Sequence, residues 1–146
     1  MLIFKRGDIL KSKADVLVNP VNCVGVMGKG LAAQFKKIFP EVFKEYAKLC
    51  KRKILKPGKP YYCPSLFPHS VVLFPTKDHW RAKSKVTDIE QGLKKLRKNL
   101  VKWKISSIAV PALGCGLGGL DWKSDVRPLI EKYYSDVLID VEVFEP

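Results

Sequence analysis

Between residues 86 and 103 the apolar positions Ile89, Leu93, Leu96, Leu100 and Trp103 step by four and three, with charged and polar residues between them. That spacing gathers them on one stripe of a helix. Thr87 and Glu90 stand just ahead in a T-x-x-E pattern, which predicts a capping box at the start of this helix. Other segments carry different patterns. "LIFKR" and "ADVLVNPV" are short, rich in β-branched residues and separated by the turn-prone "GDILKSK", so they read as strands. In "LAAQFKKIF", Leu31, Phe35 and Ile38 or Phe39 recur at helical spacing until Pro40, where a second helix, "EVFKEYAKLCK", starts with the proline in its first turn. That helix ends before the turn at Pro57 and Gly58. "PYYCPSLF" and "SVVLFP" read as short strands, with Pro64 and Pro68 marking an edge or a hairpin bend. "ISSIAVPAL" reads as a strand, "SDVRPLIEKYY" as a helix, and "DVLIDVEVF" as a closing strand with Asp140 and Glu142 turned outward. Strands that alternate with helices predict a sheet covered on both faces, a three-layer α/β/α sandwich.

Composition limits how many such units the chain can hold. At 146 residues, 47% of them hydrophobic, it has material for one core, so residues 1–146 are expected to form a single domain. The formal charge of +13, from 27 Lys plus Arg against 14 Asp plus Glu, favours a polyanionic or phosphate-bearing partner. The lysines are spread through the chain rather than collected in a tail. Cys23, Cys50, Cys63 and Cys115 form no C-x-x-C pair, which argues against a disulfide framework or a structural zinc site. No window approaches the roughly 20 apolar residues of a membrane span, so the expectation is a cytoplasmic protein away from membranes.

The chemistry-bearing residues sit in the connections. "NCVGVMGKG" and "ALGCGLGG" each leave a strand and enter a helix, a junction that lies at the carboxyl ends of strands in an α/β sheet. Glycine there either makes a tight turn or lets backbone N–H groups approach a phosphate beside a helix N-terminus. Two such loops suggest a clamp for a diphosphate. Neither loop has the P-loop spacing or the dinucleotide fingerprint, which disfavours an ATPase or a nicotinamide-dependent enzyme. Asp8 follows the first strand, where it could cap a turn or accept a hydrogen bond from a base. Asn19 and Asn22 end an apolar strand, and buried amides need partners: either local backbone or a ribose hydroxyl.

The segments "GDI", "ADVLVNPVNCVGVMGKGLAAQF", "FPTKDHW" and "IAVPALGCGLGGLDW" together resemble macrodomains, the ADP-ribose-binding fold, whose central sheet is mixed. More narrowly the chain resembles the DarG-type DNA ADP-ribosyl glycohydrolases, with the terminal ADP-ribose glycohydrolase a more distant relative. The resemblance runs from about Phe4 to the C-terminus. It implies that Asp8 and the backbone of Ile9 meet adenine and that Phe144 lies against it, a core phenylalanine being the rival reading. It implies that Asn22 contacts the distal ribose and is catalytic together with Lys77, that Gly28, Lys29 and Gly30 line the distal ribose and diphosphate, and that Gly114, Cys115, Gly116, Leu117 and Gly118 wrap the diphosphate. Lys77 matches the family's catalytic lysine. A neutral lysine at this place would attack the anomeric carbon, and a charged one would stabilise the departing base. The terminal glycohydrolase has an aspartate where this chain has Gly118, and Asp121 lies three residues on. His79, Trp80 and Arg81 are candidates for DNA contact, since an aromatic among cations can stack an unpaired base; Trp80 in the core is the alternative. Cys23 and Cys115 read as packing.

The resemblance leads to the expectation of a hydrolase that needs neither metal nor cofactor. Its ligand would be ADP-ribose and its substrate ADP-ribosylated DNA, with thymine in a single strand as the modified base. Such an activity would reverse a DarT-like toxin, itself a candidate partner, and would belong to toxin–antitoxin biology and DNA repair. A non-catalytic ADP-ribose reader and a hydrolase of ADP-ribosylated protein or ADP-ribose derivatives are the alternatives. Antitoxins of this type usually carry a further domain, so a chain stopping at Pro146 is expected to be a stand-alone relative or an excised domain.

Overall fold

A computed structural model describes residues 1–64 and 68–146. Six strands form one sheet: β1 (Leu2–Lys5), β2 (Val16–Val21), β3 (Tyr61–Cys63), β4 (Ser70–Pro75), β5 (Ser107–Val110) and β6 (Asp140–Phe144). They lie in the order β1-β6-β5-β2-β4-β3. All neighbours pair in parallel except β3, which runs antiparallel to β4 at the edge, so the sheet is mixed as expected. The strand expected over "PYYCPSLF" is observed at Tyr61–Cys63, and its last three positions, 65–67, lie outside the described residues. Pro20 sits inside the central strand β2 without breaking it. It lies opposite Phe74 within the ladder to β4 and beyond the ladder to β5, which involves only Val16 and Leu17.

Helices α1 (Gly30–Ile38) and α2 (Pro40–Lys51) cover one face, and α3 (Val86–Asn99) and α4 (Arg127–Tyr134) cover the other. The alternation along β2 explains how one strand serves both layers. Val16 and Val18 pack with Ile89, Leu93 and Ile130 of α3 and α4, whereas Leu17 and Val21 pack with Phe35, Val42 and Tyr46 of α1 and α2. This is the three-layer sandwich read from the sequence. No helix among the described residues is long and apolar enough to cross a membrane.

Two local expectations fail. Helix α3 starts at Val86, with Lys85 at its N-cap and no side-chain cap, so Thr87 falls inside the first turn and no capping box forms. Glu90 is drawn elsewhere, accepting a 2.7 Å hydrogen bond from the Tyr133 hydroxyl on α4. The preceding residue, Ser84, is already tied down through its N–H to the carbonyl of Gly118. At the other end α3 stops at Asn99, and Trp103 leaves the helical stripe to stack on Tyr62 at 5.4 Å. The helix read over "SDVRPLIEKYY" opens with a widened turn, Trp122–Val126, ahead of Pro128, which has no N–H to donate.

Candidate functional site

Because β1, β6, β5, β2 and β4 are parallel, their carboxyl ends share one edge of the sheet, where α/β proteins bind ligands. Every residue singled out in the loops lies along that edge, in an order set by the sheet. Asp8 and Ile9 follow β1, Phe144 ends β6, Gly114 to Gly118 follow β5, Asn22 to Gly30 follow β2, and Lys77 follows β4. From β1 to β4 there are four strand spacings of roughly 4.8 Å, or about 19 Å, a span suited to an elongated ligand.

The first glycine loop is built around Asn22. Its Nδ2 donates to the carbonyl of Val26 at 2.8 Å, while its Oδ1 accepts from the N–H of Val24 at 3.1 Å and from the Tyr46 hydroxyl at 2.6 Å. Tyr46 is fully buried on α2, and burial raises its hydroxyl above the ordinary phenol range, so it stays a proton donor. One amide thus closes the loop, and Val26 O is the hydrogen-bond partner of its Nδ2 among the described residues. The loop is also tied to the next one through Cys23 N–H to Asp78 O at 2.9 Å. Asn19 lies beneath, fully buried. Its Nδ2 meets only the Met27 sulfur at 3.8 Å, and its Oδ1 has no hydrogen-bond partner among the described residues. Of the two amides, only Asn22 belongs to the loop. Gly30 opens α1 at φ +60°, and Lys29 at the N-cap makes no side-chain bond to the first turn. Those amides therefore lack a side-chain partner.

The second loop is closed by its own backbone. Leu120 N–H donates to Gly114 O at 2.9 Å, and Gly119 N–H to Gly116 O at 3.1 Å. Gly116 and Leu117 stand out into solvent, Leu117 being 67% exposed, whereas Gly118 is buried. A Cβ at position 118 would run into Ser84 Oγ and lie 2.6 Å from Gly114 O. That position has no room for a carboxylate side chain. Asp121 does not replace it, because its Oδ2 caps the following turn, accepting from Ser124 N–H at 2.9 Å and Ser124 Oγ at 2.7 Å.

Lys77 is half-buried, and its Nζ donates to the carbonyl of Trp80 at 3.0 Å. Burial, and secondarily the nearby Lys83, lower its pKa from the ordinary lysine value. His79 Nδ1 accepts the N–H of Arg81 at 3.1 Å, which leaves the ring proton on Nε2 when the imidazole is neutral. Trp80 is not core: it is 42% exposed, with the Arg81 guanidinium 4.5 Å above its ring. At the far end of the edge, Asp8 Oδ1 accepts from Leu10 N–H at 3.0 Å and caps a short turn. Phe144 is buried with Ile9 in the α1/α2 core. Burial pushes the thiols of Cys23 and Cys115 up to about 12 and about 11, which suits packing rather than nucleophilic work. All four cysteines are free, and among the described residues no group of three or more His, Cys, Asp or Glu could hold a metal.

Two residues of this architecture escaped the sequence reading. Tyr46 falls on the buried stripe of α2 with Val42 and Leu49, so its spacing signals only core. Ser84, whose Oγ is buried without a partner among the described residues, has no local signal at all.

The Macro domain family model matches residues 18–128. The DNA ADP-ribosyl glycohydrolase of Mycobacterium tuberculosis is 42% identical over 149 residues, covering all of this chain and 42% of that protein. The chain thus spans about 42% of the length of such a curated relative. Among solved structures, the macrodomain of Mycobacterium tuberculosis DarG superposes with a TM-score of 0.94 at 42% identity, covering 100% of this chain and 98% of that one. Thermosipho africanus DarTG in complex with ADP-ribose superposes with a TM-score of 0.95 at 41% identity, covering 99% of this chain and 41% of that one.

Proposed function

The chain belongs to the macro domain family, in its DarG-type branch, and from that membership we propose that it is an ADP-ribosyl glycohydrolase acting on DNA. It removes ADP-ribose from a base, thymine in single-stranded DNA, and so reverses the action of a DarT-like toxin. The observation that carries this reading is the order of groups along one sheet edge: a carboxylate and an aromatic at β1 and β6, two glycine loops at β5 and β2, and a half-buried lysine at β4. ADP-ribose has the same order of parts: a base, a diphosphate and a distal ribose that bears the bond to be cut. The similarity to a relative in complex with ADP-ribose supports the same assignment. A net charge of +13 suits a polyanionic substrate.

On this assignment the backbone of the two loops holds the diphosphate, and Asn22 orients the distal ribose beside Lys77. Lys77 then works in one of two ways. As a neutral amine, Nζ bonds to the anomeric carbon while the N-glycosidic bond breaks. Its electron pair leaves on the base, which takes up a proton, and water then releases the sugar from the lysine. As an ammonium, it stabilises negative charge developing on the base while water attacks an oxocarbenium-like ribose. Burial and the nearby Lys83 lower the Lys77 pKa, the direction that the first route needs.

One observation favours a second reading, a non-catalytic reader of ADP-ribose: Gly118 leaves the second loop without a carboxylate, and Asp121 is occupied as a cap. The two separate cleanly. Wild-type protein and Lys77→Ala should both bind free ADP-ribose by calorimetry, and only the wild type should turn over ADP-ribosylated single-stranded DNA. Tight binding by both with no turnover by either would establish the reader instead.

A further inference from the structure

Nine large apolar side chains are exposed among the described residues, and four of them, Val24, Val26, Trp80 and Leu117, lie on the three loops of this edge. Trp80 differs from the rest because its neighbours are arranged around its ring. The Arg81 guanidinium sits 4.5 Å over it, and the His79 ring lies 5.2 Å away at 32°. The stretch from 77 to 85, "KDHWRAKSK", holds four cations and a single carboxylate, Asp78. Among the described residues none of Arg81, Lys83 and Lys85 is ion-paired. The platform is joined to the lysine that follows β4, since Lys77 Nζ is held by the carbonyl of Trp80 itself.

We propose that residues 79–81, with Lys83 and Lys85, form a subsite for the unmodified nucleotide next to the ADP-ribosylated one in a single DNA strand. The neighbouring base stacks on the Trp80–Arg81 pair, and the connecting phosphates lie along Lys83 and Lys85. This rests on the glycohydrolase reading above and adds to it the reason a strand is preferred to an isolated nucleoside. A planar cation over an exposed indole is suited to a π-faced, phosphate-linked ligand, because stacking is indifferent to base identity and the free cations track the backbone. Because Lys77 Nζ donates to the Trp80 carbonyl, the lysine and the platform share one turn, which suits a base on Trp80 next to the sugar presented to Nζ. A peptide substrate offers neither the repeating phosphates nor a base at each step.

Wild type and Trp80→Ala are compared on ADP-ribosylated thymidine and on an ADP-ribosylated single-stranded oligonucleotide. In wild type the oligonucleotide has the lower KM. Trp80→Ala should shrink that advantage by about 5- to 150-fold, the range for one lost base stack, and Trp80→Phe should restore much of it. An advantage unchanged in Trp80→Ala overturns the subsite. Fluorescence anisotropy of an unmodified labelled single strand supplies a readout independent of turnover. Weaker binding by Trp80→Ala than by Trp80→Phe supports the subsite, and equal binding by all three proteins overturns it. If wild type turned over neither ADP-ribosylated substrate, the glycohydrolase reading would fall while the anisotropy result still decided the platform.

Discussion

Replacing Gly118 with alanine tests whether the second loop is closed by sterics rather than by chance composition. The added Cβ would collide with Ser84 Oγ, lie 3.0 Å from Ser84 Cβ, and sit 2.6 Å from the carbonyl oxygen of Gly114. A serine hydroxyl can rotate away, but a backbone carbonyl cannot, so the loop must open. Two hydrogen bonds hold that geometry: Ser84 N–H to Gly118 O at 3.0 Å and Leu120 N–H to Gly114 O at 2.9 Å. Overpacking of this kind costs about 1–3 kcal/mol. For a domain of this size that lowers the melting temperature by about 3–10 °C. Gly116→Ala is the matched control, because the same methyl two residues away meets nothing within 4 Å and should change stability by less than about 0.5 kcal/mol. Thermal melts followed by circular dichroism and ADP-ribose titrations of both variants provide the comparison. If Gly118→Ala melted and bound ADP-ribose like Gly116→Ala, the steric account would be wrong. Gly118→Asp should fail in the same way, gaining no catalytic rate from its new carboxylate.

The same geometry sets three further outcomes. Tyr46→Phe removes only the hydroxyl that donates to Asn22, so it should cost about 1–2 kcal/mol in chemical denaturation and also weaken ADP-ribose binding; an unaltered dissociation constant would detach Tyr46 from the site. Ser84→Ala deletes a buried hydroxyl with no partner among the described residues, so its melting temperature should be equal to or above that of wild type, and a clear drop would reveal a hidden bond. For Lys77 the pH dependence has a definite sign. A lowered pKa means the neutral amine accumulates as pH rises through a value below the ordinary lysine value of about 10.4, so attack by Nζ predicts kcat rising across that step. Stabilisation by the ammonium predicts kcat falling across the same step, and Lys77→Arg should then keep part of the rate.

The layers of the fold were legible because each depends on local periodicity. The stripe of α3 and the alternation in β2, where Val16 and Val18 face one layer and Leu17 the other, mark the faces directly. The two glycine loops were legible for the same reason, as breaks between periodic segments. What failed were features decided across the sheet. The T-x-x-E pattern lost its glutamate to Tyr133, 43 residues away, and Ser84 is fixed by Gly118, so the helix begins where tertiary contacts put it. The sequence shows only that Asp121 lies three residues past Gly118, whereas the bond of its carboxylate to Ser124 depends on how the turn folds. Tyr46 carried a core signature because a buried hydroxyl on a helix stripe looks the same in sequence whether or not it reaches a loop 24 residues upstream.

On the proposed function, the edge formed by the two glycine loops and Lys77 cuts ADP-ribose from a DNA base. The most direct measurement is mass spectrometry of a thymine-ADP-ribosylated single-stranded oligonucleotide incubated with wild-type protein and with Lys77→Ala. Wild type alone should convert it to the unmodified oligonucleotide, with free ADP-ribose released. Persistence of the adduct in the presence of wild type, or equal conversion by Lys77→Ala, would contradict the proposed function.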